Sequence, residues 1–191
     1  QNAQCVDKLK SQMRGLESVM LDVALGSPST SRETDLEMLT CGGTSIEAIR
    51  VVYYDTLSYC GKCPATGGGC WVVEPLAYDL ASRQYVKISE ATTCINMPGR
   101  VLLESDDQCA ETDLISTNDG CPPNAKETRE GCGLPPSFQS IDVTIGSSRL
   151  LTMGKTPGET QYKARITKEF ATLSGDPVLK VCFLTKAKAR E

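Results

Sequence analysis

Apolar side chains recur every third or fourth position over residues 4–25, where Val6, Leu9, Met13, Leu16, Val19, Met20 and Val23 alternate with Lys8, Lys10, Arg14 and Glu17. That spacing gathers the apolar set into one stripe and predicts an amphipathic N-terminal helix packed on the segments that follow. Self-association through an exposed helix is the alternative use of the same stripe. Gly26-Ser-Pro-Ser-Thr-Ser ends the pattern. Thr30 and Glu33 then stand three apart as a capping box, with Gly42-Gly43 as a stop, which predicts a short second helix.

From Ser45 the period changes from about 3.6 to 2. Ile46–Tyr54, Trp71–Val73, Tyr85–Ile88 and Val101–Leu103 are rich in β-branched and aromatic residues and are bounded by Gly and Pro clusters. Three further segments alternate: Ile141, Val143, Ile145; then Tyr162, Ala164, Ile166; then Leu179, Val181, Phe183. Charged or polar residues stand between most of them, so antiparallel strands with one wet face are expected. In that arrangement Lys163 and Arg165 share the exposed face and Ile166 turns inward.

The pattern predicts a mainly β (α+β) chain, a disulfide-rich antiparallel β-sandwich-like scaffold with one helix. A faint internal repeat offers two related β modules as the variant. Cys41-Gly42 through Val86-Lys-Ile88 is answered by Cys132-Gly133 through Leu179-Lys-Val181, with the same 25-residue interval from Gly61 to Val86 and from Gly154 to Leu179. The expected division is a helical segment 1–40, a disulfide-rich β module 41–104, an acidic Cys/Pro/Gly-rich linker 105–136 and a basic β module 137–191.

The ten cysteines, Cys5, Cys41, Cys60, Cys63, Cys70, Cys94, Cys109, Cys121, Cys132 and Cys182, are an even number in 191 residues that hold only ten aromatics. They point to disulfides formed in an oxidising compartment, with each bridge supplying roughly 2–4 kcal/mol. A chain starting at Gln1 without an apolar leader fits either a secreted protein whose signal peptide has been removed or a fragment of a longer precursor. No apolar run reaches the length of a membrane span, and none of the four Asn stands in an N-x-Ser/Thr context.

The chain has no His. His-based nucleophile activation, His general bases, His-ligated metals and His pH switches are therefore excluded within it. Cys60-Gly61-Lys62-Cys63 has redox-dithiol spacing, but Pro64-Ala-Thr-Gly-Gly-Gly-Cys70 cannot supply the helix that lowers a thiol pKa. Structural disulfides account for it better than a zinc knuckle, whose second Cys-x-x-Cys is missing. Gly67-Gly68-Gly69 lacks the Lys-Ser/Thr of a phosphate loop. Glu104, Asp106, Asp107, Glu111, Asp113 and Asp119 do not follow calcium-loop spacing. No catalytic constellation, metal site or cofactor is expected.

Charge is what remains. Formal net charge is −4, yet residues 104–130 hold eight acids against two bases, and 147–191 hold nine bases against four acids. Such asymmetry suits docking of one surface on another, through Lys163, Arg165, Lys186 and Lys188 on one side and Asp106 and Asp107 on the other. The expectation is a secreted, non-enzymatic structural or assembly protein of an extracellular material (a matrix, coat, secretion or filament). Its partners would be other copies of itself or another extracellular protein, with a sulfated glycan as a further candidate for the basic strands. The acidic total and the lack of interleaved aromatics speak against nucleic acid. The alternatives are a monomeric binding protein (an inhibitor, toxin-like effector or receptor ligand) and a carrier of a small apolar ligand.

Overall fold

The computed structural model describes residues 2–54, 70–97, 101–106, 109, 116–117, 150–156 and 158–186. Helix α1 (Asn2–Leu25) follows the stripe: Leu9, Met13, Leu16, Met20 and Val23 are all buried, while Asp7, Lys8 and Arg14 are exposed and Lys10 and Glu17 half-buried. Gly26 follows its last residue, where a Cβ would come within 2.6 Å of the Thr30 hydroxyl and only glycine fits.

The second helix does not form. Ser31–Glu37 is instead a strand, β1, and Thr40–Cys41 is a second, β2. Both halves of the expected capping box are engaged elsewhere. The Thr30 hydroxyl donates to Ser27 O at 2.6 Å, and the Glu33 carboxylate pairs with Lys163 and Arg165. A full seven-residue antiparallel ladder with β10 (Gln161–Phe170) outweighs the local helix signal. The outer edge of β1 is closed at Glu37 by the Gln12 side-chain amide of α1. That amide accepts from the Glu37 N–H at 2.5 Å and donates to the Glu37 carbonyl at 3.4 Å. An edge capped in this way offers no open row to another chain at that point.

The remaining strands are β3 (Thr44–Tyr54), β4 (Cys70–Asp79), β5 (Gln84–Lys87), β6 (Thr93–Ile95), β7 (Leu102–Ser105), β8 (Ser116–Thr117), β9 (Leu150–Gly154) and β11 (Pro177–Thr185). A short 3-10 helix, Ser89–Ala91, lies between β5 and β6. One sheet has the order β1-β10-β11-β7. The other runs β5-β4-β3-β9-β8, with β2 added to β3 and β6 to β4. One hydrophobic cluster takes residues from α1 and from both sheets, among them Leu16, Leu36, Val51, Trp71, Phe183 and Leu151. Tyr162 lies flat against Phe183 in it, with ring centroids 5.0 Å apart. The chain is thus mainly β with one N-terminal helix and open sheets.

Two strand readings need correction. β4 does not stop at Val73 but continues through Glu74-Pro75 to Asp79. Pro75 is tolerated because β4 pairs with β6 over Trp71–Val73 and with β5 over Leu76–Asp79, so it falls in the gap between the two ladders. β11 is not one-sided. It is an interior strand, its second face carries buried Val178, Cys182 and Leu184, and its pairing with β7 is parallel rather than antiparallel. β10 keeps the expected register, with Ile166 buried and Lys163 and Arg165 on the opposite face. The predicted strand at Ile141–Ile145 lies outside the described residues.

Sheet pairing crosses the expected segment boundaries. β1 of the 1–40 segment and β7 of the 41–104 segment join β10 and β11 of the 137–191 segment, while β9 joins β3.

Candidate interaction surface

Cys5 is bonded to Cys41, which ties the first turn of α1 to β2, and Cys109 is bonded to Cys182 of β11. Cys70 and Cys94 are also disulfide-bonded, so no described cysteine is free. Cys60, Cys63, Cys121 and Cys132 lie outside the described residues, as do Asp107 and Lys188.

The bases expected to meet a partner are met first by acids of β1. Lys163 Nζ is 3.2 Å from Glu33 and 3.9 Å from Asp35, Arg165 Nε is 3.3 Å from Glu33, and Lys186 Nζ is 3.7 Å from Asp35. The antiparallel register causes this, since it sets Glu33 opposite Arg165 and Asp35 opposite Lys163. The hydrogen bond from Lys163, helped by Arg165, holds the Glu33 carboxyl below its ordinary value. Lys180 is likewise 2.6 Å from Glu104. Asp106 follows β7 half-buried, its N–H donating to Val181 O and its carbonyl accepting from Cys109 N.

Two polar groupings escape a sequence reading. On the face of the larger sheet opposite the Trp71–Val51 side, Arg50 and Glu74 are 2% and 0% exposed and form an ion pair at 3.1 Å. Lys87 stands 3.8 Å from the other Glu74 oxygen. Arg50 lies between Glu74 and the buried Thr152 in the ladders, so a polar row crosses three adjacent strands. In the core, the Tyr162 hydroxyl accepts from Thr156 N at 2.8 Å and donates to Glu159 O at 2.9 Å. Burial raises its pKa above the ordinary value.

The remaining surface feature is apolar. Large hydrophobic side chains are exposed at Leu25 (72%), Phe170 (48%) and Leu173 (102%), and also at Leu80 and Val86 around the β4–β5 turn. One residue draws the first two together. Lys168 Nζ donates to Ala24 O at 2.9 Å and Gly26 O at 2.8 Å, on either side of Leu25, and sits 5.8 Å from the centre of the Phe170 ring. Leu173 is the crest of the β10–β11 turn. Ala171 N donates to Asp176 O and Gly175 N to Ala171 O, both at 2.9 Å. Gly175 supplies the left-handed conformation at φ 71° that closes the turn. The turn is therefore fixed with its apolar side chain outward, above a groove of about 370 Å³ lined by Phe170, Val178, Glu104 and Lys180. Clustered exposed apolar side chains are a common property of contact surfaces. The sequence signal was an apolar residue inside Phe170-Ala-Thr-Leu-Ser-Gly-Asp-Pro177, a turn whose other members are small or polar.

A second concavity, about 560 Å³, lies at the other end of α1. Leu9 and Ile46 form its floor, Val6 and Ile88 its walls, and Asp7, Lys10 and Glu90 its rim. Among the described residues no group of three or more Cys, Asp or Glu is placed to hold a metal ion, and no helix is long and apolar enough to cross a membrane.

No protein family, curated protein or solved structure matches the chain.

Proposed function

We propose that the two sheets form a sandwich-like scaffold of a secreted, non-enzymatic structural or assembly protein, which works by contact with other copies or another extracellular protein. The carrying observation is the apolar end at Leu25, Phe170 and Leu173, held outward by a hydrogen-bonded turn and the Lys168 anchor. Intramolecular disulfides are compatible with an extracellular location. The described bases of the 137–191 segment are largely paired within their own sheet, so the driving force is apolar burial rather than attraction between charged halves.

The two drives respond oppositely to salt. Attraction between exposed charges is screened within about 10 Å at 0.1 M salt, whereas apolar burial is not. Mass measured by sedimentation or light scattering should rise with protein concentration and persist in about 0.5 M salt. A strict monomer at high concentration would overturn the reading. Dissociation by salt would return the contact to the charged halves.

A further inference from the structure

We propose that the open edge of β1 takes up the Lys188-Ala189-Arg190 stretch of a second copy as an added antiparallel strand. The contact uses neither the apolar hairpin nor its groove, so it goes beyond the reading above.

β1 is the outermost strand of its sheet, and its ladder with β10 fixes which backbone groups point outward. Thr30 O accepts from Lys168 N and Met38 N donates to Thr160 O, so the even positions face β10. The odd positions face away from it, and at Glu37 the outward N–H and C=O are taken by Gln12. At the other end the Arg32 guanidinium donates to Ser31 O at 2.9 Å. Between these two caps, the N–H and C=O of Glu33 and Asp35 have no partner among the described residues. Both residues are exposed, and neither a bulge nor a proline interrupts the strand. Four open backbone groups in a row are a template for one more strand.

The sequence singles out a strand that fits. On its inner side β1 already meets Lys163-Ala164-Arg165, with Lys163 opposite Asp35, Ala164 opposite Thr34 and Arg165 opposite Glu33. The same tripeptide recurs once in the chain, at Lys188-Ala189-Arg190, a stretch outside the described residues. Laid antiparallel on the outer side in the same register, Lys188 and Arg190 exchange backbone bonds with Asp35 and Glu33, which uses all four open groups. Their side chains then fall on the acidic face, where opposite charges on neighbouring strands are favourable. Asp35 has room for one. Its carboxylate is 60% exposed, and its bases stand 3.7 and 3.9 Å away, beyond hydrogen-bond reach. Ala189 falls beside Thr34 on the side of α1, where Gly15 of the helix lies close and a small side chain fits. Glu191 falls opposite Arg32.

The donor has to be another copy. Thr185 pairs with Tyr162, which pairs with Leu36, so the outer side of β1 lies three strand spacings from β11, about 14 Å. Lys188 is three residues past Thr185, and three residues span at most about 11 Å. No copy can lay this stretch on its own edge.

The test titrates a dye-labelled peptide of residues 186–191 onto the full chain in about 0.1 M salt, read by fluorescence anisotropy. Methyl groups on the Lys188 and Arg190 amide nitrogens remove the two donors aimed at the edge and should weaken binding about thirtyfold or more. A methyl on the Ala189 nitrogen, whose N–H points away from β1, should change binding less than about threefold. Asp35→Pro blocks the edge from the other side. β10 does not use the Asp35 N–H, so the strand still forms, and peptide binding should fall about tenfold or more. The Leu173→Asp chain, which lacks the crest of the apolar end, should bind the peptide as wild type does. In that background, Asp35→Pro and Lys188→Glu/Arg190→Glu should each lower self-association in sedimentation velocity, and a mixture of the two should pair one to one, since each keeps the half the other lacks. A peptide that does not bind, a doubly methylated peptide that binds as well as the plain one, or a folded Asp35→Pro chain that binds like wild type would overturn the added strand. So would a mixture that stays monomeric. None of these results touches the hairpin reading, which concerns a different surface.

Discussion

Lys168 is the residue on which the apolar end depends, and Lys168→Met isolates its charge from its bulk. Methionine keeps an apolar stem of similar length but removes the ammonium that donates at 2.9 Å to Ala24 O and 2.8 Å to Gly26 O. These are last-turn and post-helix carbonyls, which lack partners inside the helix. Hydrogen bonds to charged groups contribute about 1.5–3 kcal/mol each when buried, and a cation at a helix C-terminus adds about 0.3–1 kcal/mol. Lys168 is only half-buried, so water recovers much of this and the expected net loss is about 2 kcal/mol. In urea, the midpoint should fall with the slope unchanged. In a chain of this size the same loss lowers Tm by about 4–8 °C. Amide exchange should locate the damage, with the Gly26, Ser29 and Lys168 N–H groups losing protection first, since each bonds across this junction or beside it. Lys168→Arg, still a cation of similar reach, should recover most of the difference. If Lys168→Met unfolds at the wild-type midpoint with unchanged exchange at these amides, the ammonium does not hold the helix end.

Two further outcomes follow from polar groups that the fold buries or pairs. Arg50→Met removes the 3.1 Å ion-pair partner of the fully buried Glu74 carboxylate and leaves it facing Lys87 at 3.8 Å, and should cost about 3–5 kcal/mol in denaturant unfolding. The double variant Arg50→Met/Glu74→Leu should recover most of that cost, and a single variant costing under about 1 kcal/mol would contradict the assignment. The lowered Glu33 carboxyl stabilises the folded chain above its ordinary pKa of 4.5, and that contribution is lost as pH falls through the lower folded value. The stability advantage of wild type over Glu33→Gln should be present at neutral pH and disappear in acid. Solvent exposure of both partners keeps it small, and an advantage that grows on acidification would show the sign to be wrong.

The sequence alone determined the features governed by local period. The 3.6-residue stripe that predicts α1 becomes its buried face, because a stripe of that kind has to pack somewhere. Alternation set the register of β10, with Ile166 in and Lys163 out, because successive strand side chains take opposite faces. The cysteine count pointed to disulfides, and every described cysteine is bonded. Tertiary structure decided whatever depends on which segments become neighbours. Thr30–Glu37 carries a helix signal, but pairing with β10 satisfies seven residues of backbone at once, and a capping box cannot match that. Glu74-Pro75 reads as a strand end, yet β4 continues because its partner changes at that point. The exposed apolar end was hidden for the same reason. Leu25 and Phe170 are 145 positions apart in the chain, and only the packing of α1 beside β10 brings them to one end. The charges that looked free for a partner were claimed by acids some 130 residues upstream, opposite them in the sheet. Period is a property of neighbours in sequence, whereas exposure and pairing belong to neighbours in space.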